Sequence, residues 1–176
     1  MRLTLWLITI CLLPLPSWGG SENATLKLGL ESGQAQLHKS GFTSTAPWAI
    51  NVGGSLFGWG VDYFYEKTGR VSSTTGLGGI TLQGRGVRVS KGLEVNRYLS
   101  FYPAVGVYHW EATADLFSRP IGVDSGTTRL TQLSAQTRVM DNFATDLLYR
   151  RYENVSGVSL VYVGLAFSYL YQIGGQ

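Results

Sequence analysis

Charged residues that could carry out chemistry occur in pairs four positions apart in several short segments. Lys27 and Glu31 share one face of the first segment, and Asp62 and Glu66 share one face of a later one, if both are extended. Carboxylates held near cations can serve as acid and base, as a proton path, or as ion pairs. We call the charged residues on these polar faces the interior set, because the fold predicted below points them inward. They are Lys27, Glu31, Asp62, Glu66, Arg88, Asp146 and Arg150, with Arg85 as the alternative to Arg88.

The two histidines offer the only other reactive pattern. A two-histidine metal site would need His38, in a predicted loop, to meet His109, at a predicted strand end. His109 and Glu111 could share a face as a base and its orienting carboxylate, as in outer-membrane lipid A deacylases, which this chain resembles in size. No serine stands two residues after His109, where that motif would place one. We therefore predict no catalytic residue, no metal site and no cofactor.

Strands must position these side chains, because the hydrophobic pattern has a period of two. In Ala24 to Glu31, leucines alternate with polar residues, which is typical of a strand with one apolar and one polar face. Eight such segments are predicted: 24 to 31, 48 to 56, 59 to 66, 80 to 95, 98 to 110, 128 to 139, 143 to 152 and 158 to 169.

The connections between these strands alternate in length. Long ones (32 to 47, 67 to 79 and 112 to 127) alternate with tight turns at 57 to 58, 96 to 97 and 141 to 142. Outer-membrane barrels have an even strand number, short periplasmic turns and longer outer loops. The pattern predicts an all-β fold, an eight-stranded antiparallel up-and-down transmembrane β-barrel. A soluble sandwich or lipocalin-like barrel is the alternative.

Three places depart from the pattern. The alternation set by Ile80 and Leu82 changes phase across Gly84 to Gly86, which suggests a glycine-marked β-bulge there. Pro103 cannot donate a hydrogen bond to a β-ladder. Phe64 stands on the otherwise polar face of its strand.

Aromatic residues favour the membrane barrel over a soluble fold. Many of them fall near predicted strand ends, where the aromatic girdles of membrane barrels lie. The predicted girdle residues are Trp48, Phe57, Trp59, Tyr98, Trp110, Phe143, Tyr149, Tyr152 and Tyr169.

Composition and the N-terminus point the same way. Only 14% of the 176 residues are charged, and Gly, at 23 residues, is abundant. Arg2, the apolar run from Leu3 to Leu15 and the small residues Ser17 and Gly19 predict a signal peptide over residues 1–19 and one barrel domain over 20–176. Removing that peptide removes the only cysteine, so neither a disulfide nor a thiolate is expected.

From Tyr98 onward the sequence resembles the OmpA-like transmembrane-domain family of small outer-membrane barrels. The phrases that carry this resemblance are VGVYHWEA (105–112), DSGT (124–127), MDNF (140–143), ATDLLYRRYENV (144–155) and VGLAFSY (163–169). Members usually end on the aromatic of the last strand, whereas here seven residues follow Tyr169. Tyr171 and Ile173 continue the apolar face, which favours a longer strand.

The resemblance and the pattern lead to one set of expectations. We expect a structural or surface-display and adhesion protein of the cell outer membrane, not an enzyme, with periplasmic termini and a closed polar interior. The alternatives are a lipid- or small-ligand-binding barrel, a gated narrow pore, or a lipid A-modifying hydrolase. Expected partners are outer-membrane lipid and lipopolysaccharide, and the barrel-assembly machinery during insertion. Nucleic acid is not expected, because the basic residues form no single stripe, and the sequence predicts no oligomeric state.

Overall fold

The computed structural model describes residues 24–37, 43–73, 78–116 and 119–173. The predicted signal peptide, His38 and the last three residues lie outside these ranges. The described residues contain no helix long and apolar enough to cross a membrane. Their strands are β1 (Ala24–Leu37), β2 (Trp48–Leu56), β3 (Trp59–Ser72), β4 (Gly78–Lys91), β5 (Leu93–Glu94), β6 (Leu99–Leu116), β7 (Arg119–Met140), β8 (Phe143–Val155) and β9 (Val158–Ile173).

These strands form one closed antiparallel sheet. Consecutive strands pair with each other, except that β4 and β5 both pair with β6. β1 closes the sheet by pairing with β9 from Ala24–Ile173 to Leu37–Leu160. The two-residue β5 continues the line of β4 along β6. The predicted eight-stranded up-and-down β-barrel is therefore confirmed.

Three connections, at Phe57–Gly58, after β5 and at Asp141–Asn142, are short turns at one end of the barrel, whereas the tight turn at Ser156–Gly157 lies at the other end. Phe57 and Gly58 both have positive φ (52° and 75°), as a two-residue hairpin turn requires. In the turn after β5, the side-chain oxygen of Asn96 accepts hydrogen bonds from the backbone N–H groups of Tyr98 and Leu99. We call this the turn end and the opposite end the loop end. Both described chain termini, Ala24 and Ile173, lie at the turn end.

Apolar side chains cover the outside of the barrel, and polar ones fill much of its inside. Along β9, Val163, Leu165 and Phe167 face outward and are exposed, whereas the residues between them are buried. The same alternation runs round the sheet, so the outer surface carries a continuous apolar belt. Such a belt costs free energy in water, at roughly 25 cal/mol per Å² of apolar surface.

The strands continue past the belt at the loop end, and the predicted long loops are wrong in this respect. β1 runs on to Leu37, β3 to Ser72 and β6 to Leu116, each well inside a predicted loop. β7, predicted over 128 to 139, is the longest strand and begins at Arg119. Toward the loop end the two faces of a strand no longer differ in burial, since every residue of β7 from Arg119 to Ser125 is exposed. The alternation therefore disappears although the backbone ladder continues.

The bulge predicted at Gly84 to Gly86 is also wrong. Pairing of β4 with both neighbours is continuous there, and the register shift lies between Lys67 and Arg70 on β3. The Thr68 hydroxyl bridges that shift, donating to the Leu82 carbonyl and accepting from the Leu82 N–H, both at 2.9 Å.

The apparent change of phase in β4 reflects a change in what the barrel interior contains. Leu82 faces inward at the apolar loop end, and Arg88 faces inward at the polar centre, in unbroken alternation. Gly84 and Gly86 leave room for interior rings, since a Cβ on Gly86 would stand 2.6 Å from the Phe64 ring.

Pro103 lies where the ladder along β6 is interrupted. β6 pairs with β4 as far as Ser90–Ala104 and with β5 from Leu93–Phe101 onward. On this side of β6, Pro103 stands at a break between two paired segments, where no N–H donor is required, while on the other side it lies opposite Leu133 of β7.

Most of the predicted aromatic girdle lies outside, with two exceptions. Trp110 and Tyr152 are buried in the interior, which corrects their assignment to the girdle. Both stand on inward positions of strands whose loop-end interior is apolar. The predicted girdle residues on the outside are Trp48, Phe57, Trp59, Tyr98, Phe143, Tyr149 and Tyr169. Tyr171 and Ile173 continue the outer face of β9, as their spacing predicts.

Candidate functional site: the barrel interior

Glu31 is the centre of the largest interior cluster. Its Oε1 accepts from Nη2 of Arg88 at 2.9 Å and from Nδ2 of Asn51 at 3.0 Å, and its Oε2 accepts from Nη2 of Arg150. Glu31 as a residue is 2% exposed. A buried carboxylate stays ionised only when it is paired and hydrogen-bonded, and here two guanidinium groups share it.

Arg150 connects Glu31 to a second buried acid, Glu66. Its Nη1 donates to Oε2 of Glu66 at 2.6 Å and to the Tyr152 hydroxyl at 3.1 Å. The Tyr152 hydroxyl in turn donates to the same Glu66 oxygen at 2.6 Å. Arg150 is fully buried and brings together residues far apart in the chain.

Arg88 and Arg150 are also joined through an amide. Arg88 Nε donates to Oδ2 of Asp62 at 3.1 Å, and its Nη1 donates to Oε1 of Gln132 at 2.8 Å. Arg150 Nε donates to that same Gln132 oxygen at 2.8 Å. Gln132 therefore bridges two like charges without adding one, and its Nε2 donates onward to Ser134 at 3.1 Å.

A second, smaller ion pair lies nearer the turn end. Lys27 Nζ stands 3.3 Å from Oδ2 of Asp146, and Gln136 donates to the other oxygen of Asp146 at 2.9 Å. The side chain of Lys27 is 20% exposed, so this pair is more accessible to solvent than the central cluster.

An aromatic and apolar layer covers the central cluster on the loop-end side. The Phe64 ring lies nearly parallel to the Tyr108 ring at 5.8 Å, and Tyr108 contacts Tyr152 at 4.6 Å. The guanidinium carbons of Arg150 and Arg88 stand 4.6 Å and 5.3 Å from the Phe64 ring centre, within cation–π range. Phe64, the residue that departs from its strand's pattern, is the contact between the two layers.

All seven residues of the predicted interior set lie inside the barrel, with Arg88 rather than Arg85 in the inward position. Arg85 faces outward and is exposed. The charged residues of the cluster are predictable from the sequence, whereas its uncharged hydrogen-bonding residues, Asn51, Gln132 and Tyr152, were not predicted. The alternation of Gln132, Ser134 and Gln136 along β7 was the available signal.

Some interior polar atoms have no protein partner. Among the described residues these include Oε1 of Glu66, the hydroxyls of Tyr108 and Tyr162, and Nε1 of Trp110. Tyr108, Tyr162 and Trp110 belong to the buried apolar cluster, so their rings carry polar atoms into a mostly apolar space.

Of the residues considered for catalysis, His109 and Glu111 lie on the outer face of β6 and bind different neighbours, and His38, required for the two-histidine metal site, lies outside the described residues. His109 faces outward with Nδ1 at 3.2 Å from the Thr127 hydroxyl, whereas Glu111 accepts from Gln83 at 3.1 Å. No group of three or more potential metal ligands occurs among the described residues. A serine does stand two residues after His38, at Ser40, but both lie outside the described ranges.

An open cavity of about 350 Å³ lies at the loop end above the apolar layer. Ile80, Leu82, Ala112, Val123 and Val155 form part of its mostly apolar lining. The interior thus changes along the barrel axis from an ion pair, through a buried charged cluster and an aromatic layer, to an apolar cup. In the central cluster the arginines and carboxylates balance each other's charge, and their side chains fill the lumen.

No protein-family model matches the sequence, and a comparison with curated proteins finds no significant match. Solved structures do match. Ail, the attachment invasion locus protein of Yersinia pestis, has a TM-score of 0.60 at 17% identity, over 85% of this chain and 99% of that one. Neisserial surface protein A scores 0.66 at 12% identity, over 83% and 96%.

The N-terminal β-barrel domain of Pseudomonas aeruginosa OprF scores 0.62 at 10% identity, over 82% of this chain and 97% of that one. At these identities the likeness shows the fold alone: the chain has the small eight-stranded barrel found in outer-membrane proteins.

Proposed function

We propose that this chain is a bacterial outer-membrane protein whose barrel is closed and whose role is anchoring and surface display. The observation that carries the proposal is the inverted distribution of side chains. Leu165 is half exposed on the outside, while Arg150 is fully buried inside. A protein dissolved in water places these side chains the other way round, whereas lipid is the solvent that an apolar belt requires.

Heat-modifiable gel mobility in outer-membrane fractions tests the location. The full chain with its N-terminal segment is expected in the outer membrane, migrating faster unboiled than boiled because the barrel stays folded in detergent. A soluble periplasmic protein without that shift would overturn the proposal. The same fractions test the proposed signal peptide, since cleavage before Gly20 gives a defined N-terminus.

Closure of the lumen follows from the interior cluster. Eight strands enclose a space just wide enough for side chains, and the arginine–carboxylate cluster and the aromatic layer lie across it. Planar-bilayer recordings of the purified barrel are expected to show no steady conductance. Stable single-channel openings in the unmodified protein would favour the gated-pore alternative.

Display is supported by the length of the strands at the loop end. The β6–β7 hairpin, from Leu99 to Met140, is the longest, and its exposed residues include Ile121 and Val123. Ail, one of the similar structures, is named for attachment and invasion. With periplasmic termini, an epitope inserted between Leu116 and Arg119 should bind antibody on intact cells, whereas one appended after Gln176 should not.

We also propose that the chain carries no enzymatic activity. The hydrolase alternative needs a serine two residues after a histidine, and of the two histidines only His38, followed by Ser40, has that spacing. Mass spectrometry of lipid A from cells with and without the protein is expected to show no change. A loss of one acyl chain that Ser40→Ala abolishes would overturn this.

Binding of a small apolar ligand is a second candidate, favoured by the loop-end cavity. A fluorescent fatty acid would bind the detergent-free barrel in nanodiscs, and Ala112→Trp, which fills the cavity, would reduce binding. Equal binding by the variant would remove this candidate.

A further inference from the structure

Four basic residues face outward at the loop-end edge of the apolar belt. Lys67, Arg85, Arg129 and Arg151 belong to β3, β4, β7 and β8, and all are exposed. We call them the basic collar.

Their common position follows from their outward neighbours on the belt side. Tyr65 lies next to Lys67, Val87 next to Arg85, and Tyr149 next to Arg151, each at the adjacent outward position. For Arg129, the next outward-facing residues of β7 on the belt side are Thr131 and then Leu133.

Strand pairing gives the collar its continuity. Arg85 is opposite His109 on β6, whose partner on β7 is Thr127, one outward position from Arg129. Because strands in a barrel are tilted, residues at equal height shift along successive strands, and this shift brings the four cations to one level. β6 contributes His109, which faces outward between Arg85 and Arg129.

The collar cations form no salt bridge within the part of the chain that the structure describes. The described salt bridges engage Lys27, Arg70, Arg88 and Arg150, and none of the four collar residues. Even Arg70, which is exposed near the collar, is paired with Asp115.

Two acids stand near the collar, one outward position farther from the belt. Glu111 follows His109 and accepts from Gln83, and Glu153 follows Arg151. They leave the belt side of the collar cationic.

The collar covers only part of the circumference. At the corresponding height β9 presents Val161, β1 presents Gln34 and β2 presents Trp48. Attraction to an anionic surface in general does not require the cations to lie on one side of the barrel. A single bound molecule with a defined headgroup does require them to be grouped in this way.

We propose that the basic collar binds the phosphate groups of an anionic lipid, whose acyl chains lie on the belt beneath. Apolar side chains adjoining cations match the two parts of such an amphiphile. Arginine binds phosphate through paired N–H donors, and lysine and arginine can extend along apolar surface to reach it. The inference rests on the proposed membrane location, and in the outer leaflet it assigns the collar to the phosphorylated headgroup of lipopolysaccharide.

Matched charge removals in nanodiscs test this. Arg129→Gln/Arg151→Gln removes two collar cations, and Arg97→Gln/Arg138→Gln removes two exposed cations at the turn end. Folding is first scored by heat-modifiable mobility in phosphatidylcholine discs, and failure there counts against the membrane barrel itself. Thermal unfolding is then followed while the mole fraction of diphosphoryl lipid A increases.

The wild type is expected to gain thermal stability with lipid A. At about 1 kcal/mol per cation, the collar variant should need roughly 30-fold more lipid for the same gain. The turn-end variant should behave as the wild type does.

Three outcomes overturn the collar proposal while the barrel proposal stands: no gain with lipid A, an equal response of both variants, or the same gain from inorganic phosphate in phosphatidylcholine discs. The last would show that the site takes free phosphate and not a lipid.

Discussion

The guanidinium carbon of Arg150 lies 4.6 Å from the centre of the Phe64 ring, at the level where the charged interior of the barrel meets its aromatic layer. One face of Phe64 thus contacts the apolar layer while its strand neighbours Asp62 and Glu66 take part in ion pairs. This contact lets a charged cluster and an apolar layer follow each other along the barrel axis without a gap.

Replacing Arg150 by methionine should destabilise the barrel strongly. Glu31 and Glu66 would lose their shared cation in a buried setting, which costs about 3–5 kcal/mol. Urea unfolding in phosphatidylcholine vesicles measures it. Arg151→Met is the matched control, because Arg151 faces outward, and it should change the free energy of unfolding by less than about 0.5 kcal/mol. Equal effects of the two changes would contradict the network's role.

Removing the Tyr152 hydroxyl should cost less. Tyr152→Phe keeps the ring against Tyr108 but leaves Oε2 of Glu66 without one of its two donors. A loss of about 1–3 kcal/mol in the free energy of unfolding is expected. Tyr149→Phe, on the outer face of the same strand, serves as the control. If the Tyr152 variant unfolded like the wild type, its hydroxyl would not support Glu66.

Gly33 should not tolerate a side chain. A Cβ there would stand 2.2 Å from the Val163 carbonyl oxygen and 2.4 Å from Cα of Gly164 on the paired strand. Gly33→Ala is expected to lower the free energy of unfolding by about 1–3 kcal/mol, as overpacking does. Gly122→Ala, where a Cβ meets nothing within 4 Å, should have little effect. Similar stabilities for both variants would place strands β1 and β9 farther apart than described.

Arginine substitutions on β9 should report depth in the bilayer. Leu165 lies in the middle of the belt and Ile173 at its turn end. In lipid vesicles, Leu165→Arg should cost about 2–4 kcal/mol and Ile173→Arg about 0–1 kcal/mol. Equilibrium unfolding of both variants in the same vesicles provides the comparison. A neutral or stabilising Leu165→Arg would mean that the belt faces water.

The sequence alone determined the architecture, the tight turns and the set of inward charges. Each depends on local information, namely the period of two along a strand and the residues that a tight turn accepts, such as Phe57–Gly58. Where outward-facing and interior residues differ in polarity, as along β9, the pattern is unambiguous.

Only the tertiary structure decided how far the strands extend, where the bulge lies and which cation pairs with which acid. Beyond the belt the two faces of β7 do not differ in polarity, so its alternation carries no signal. The inward-facing side chains of β4 change from apolar Leu82 to charged Arg88 along the strand. In the sequence, this change looks like a register slip at Gly84 to Gly86. The sharing of Glu31 by Arg88 and Arg150, with Gln132 between them, joins residues from distant strands, and no local pattern records such contacts.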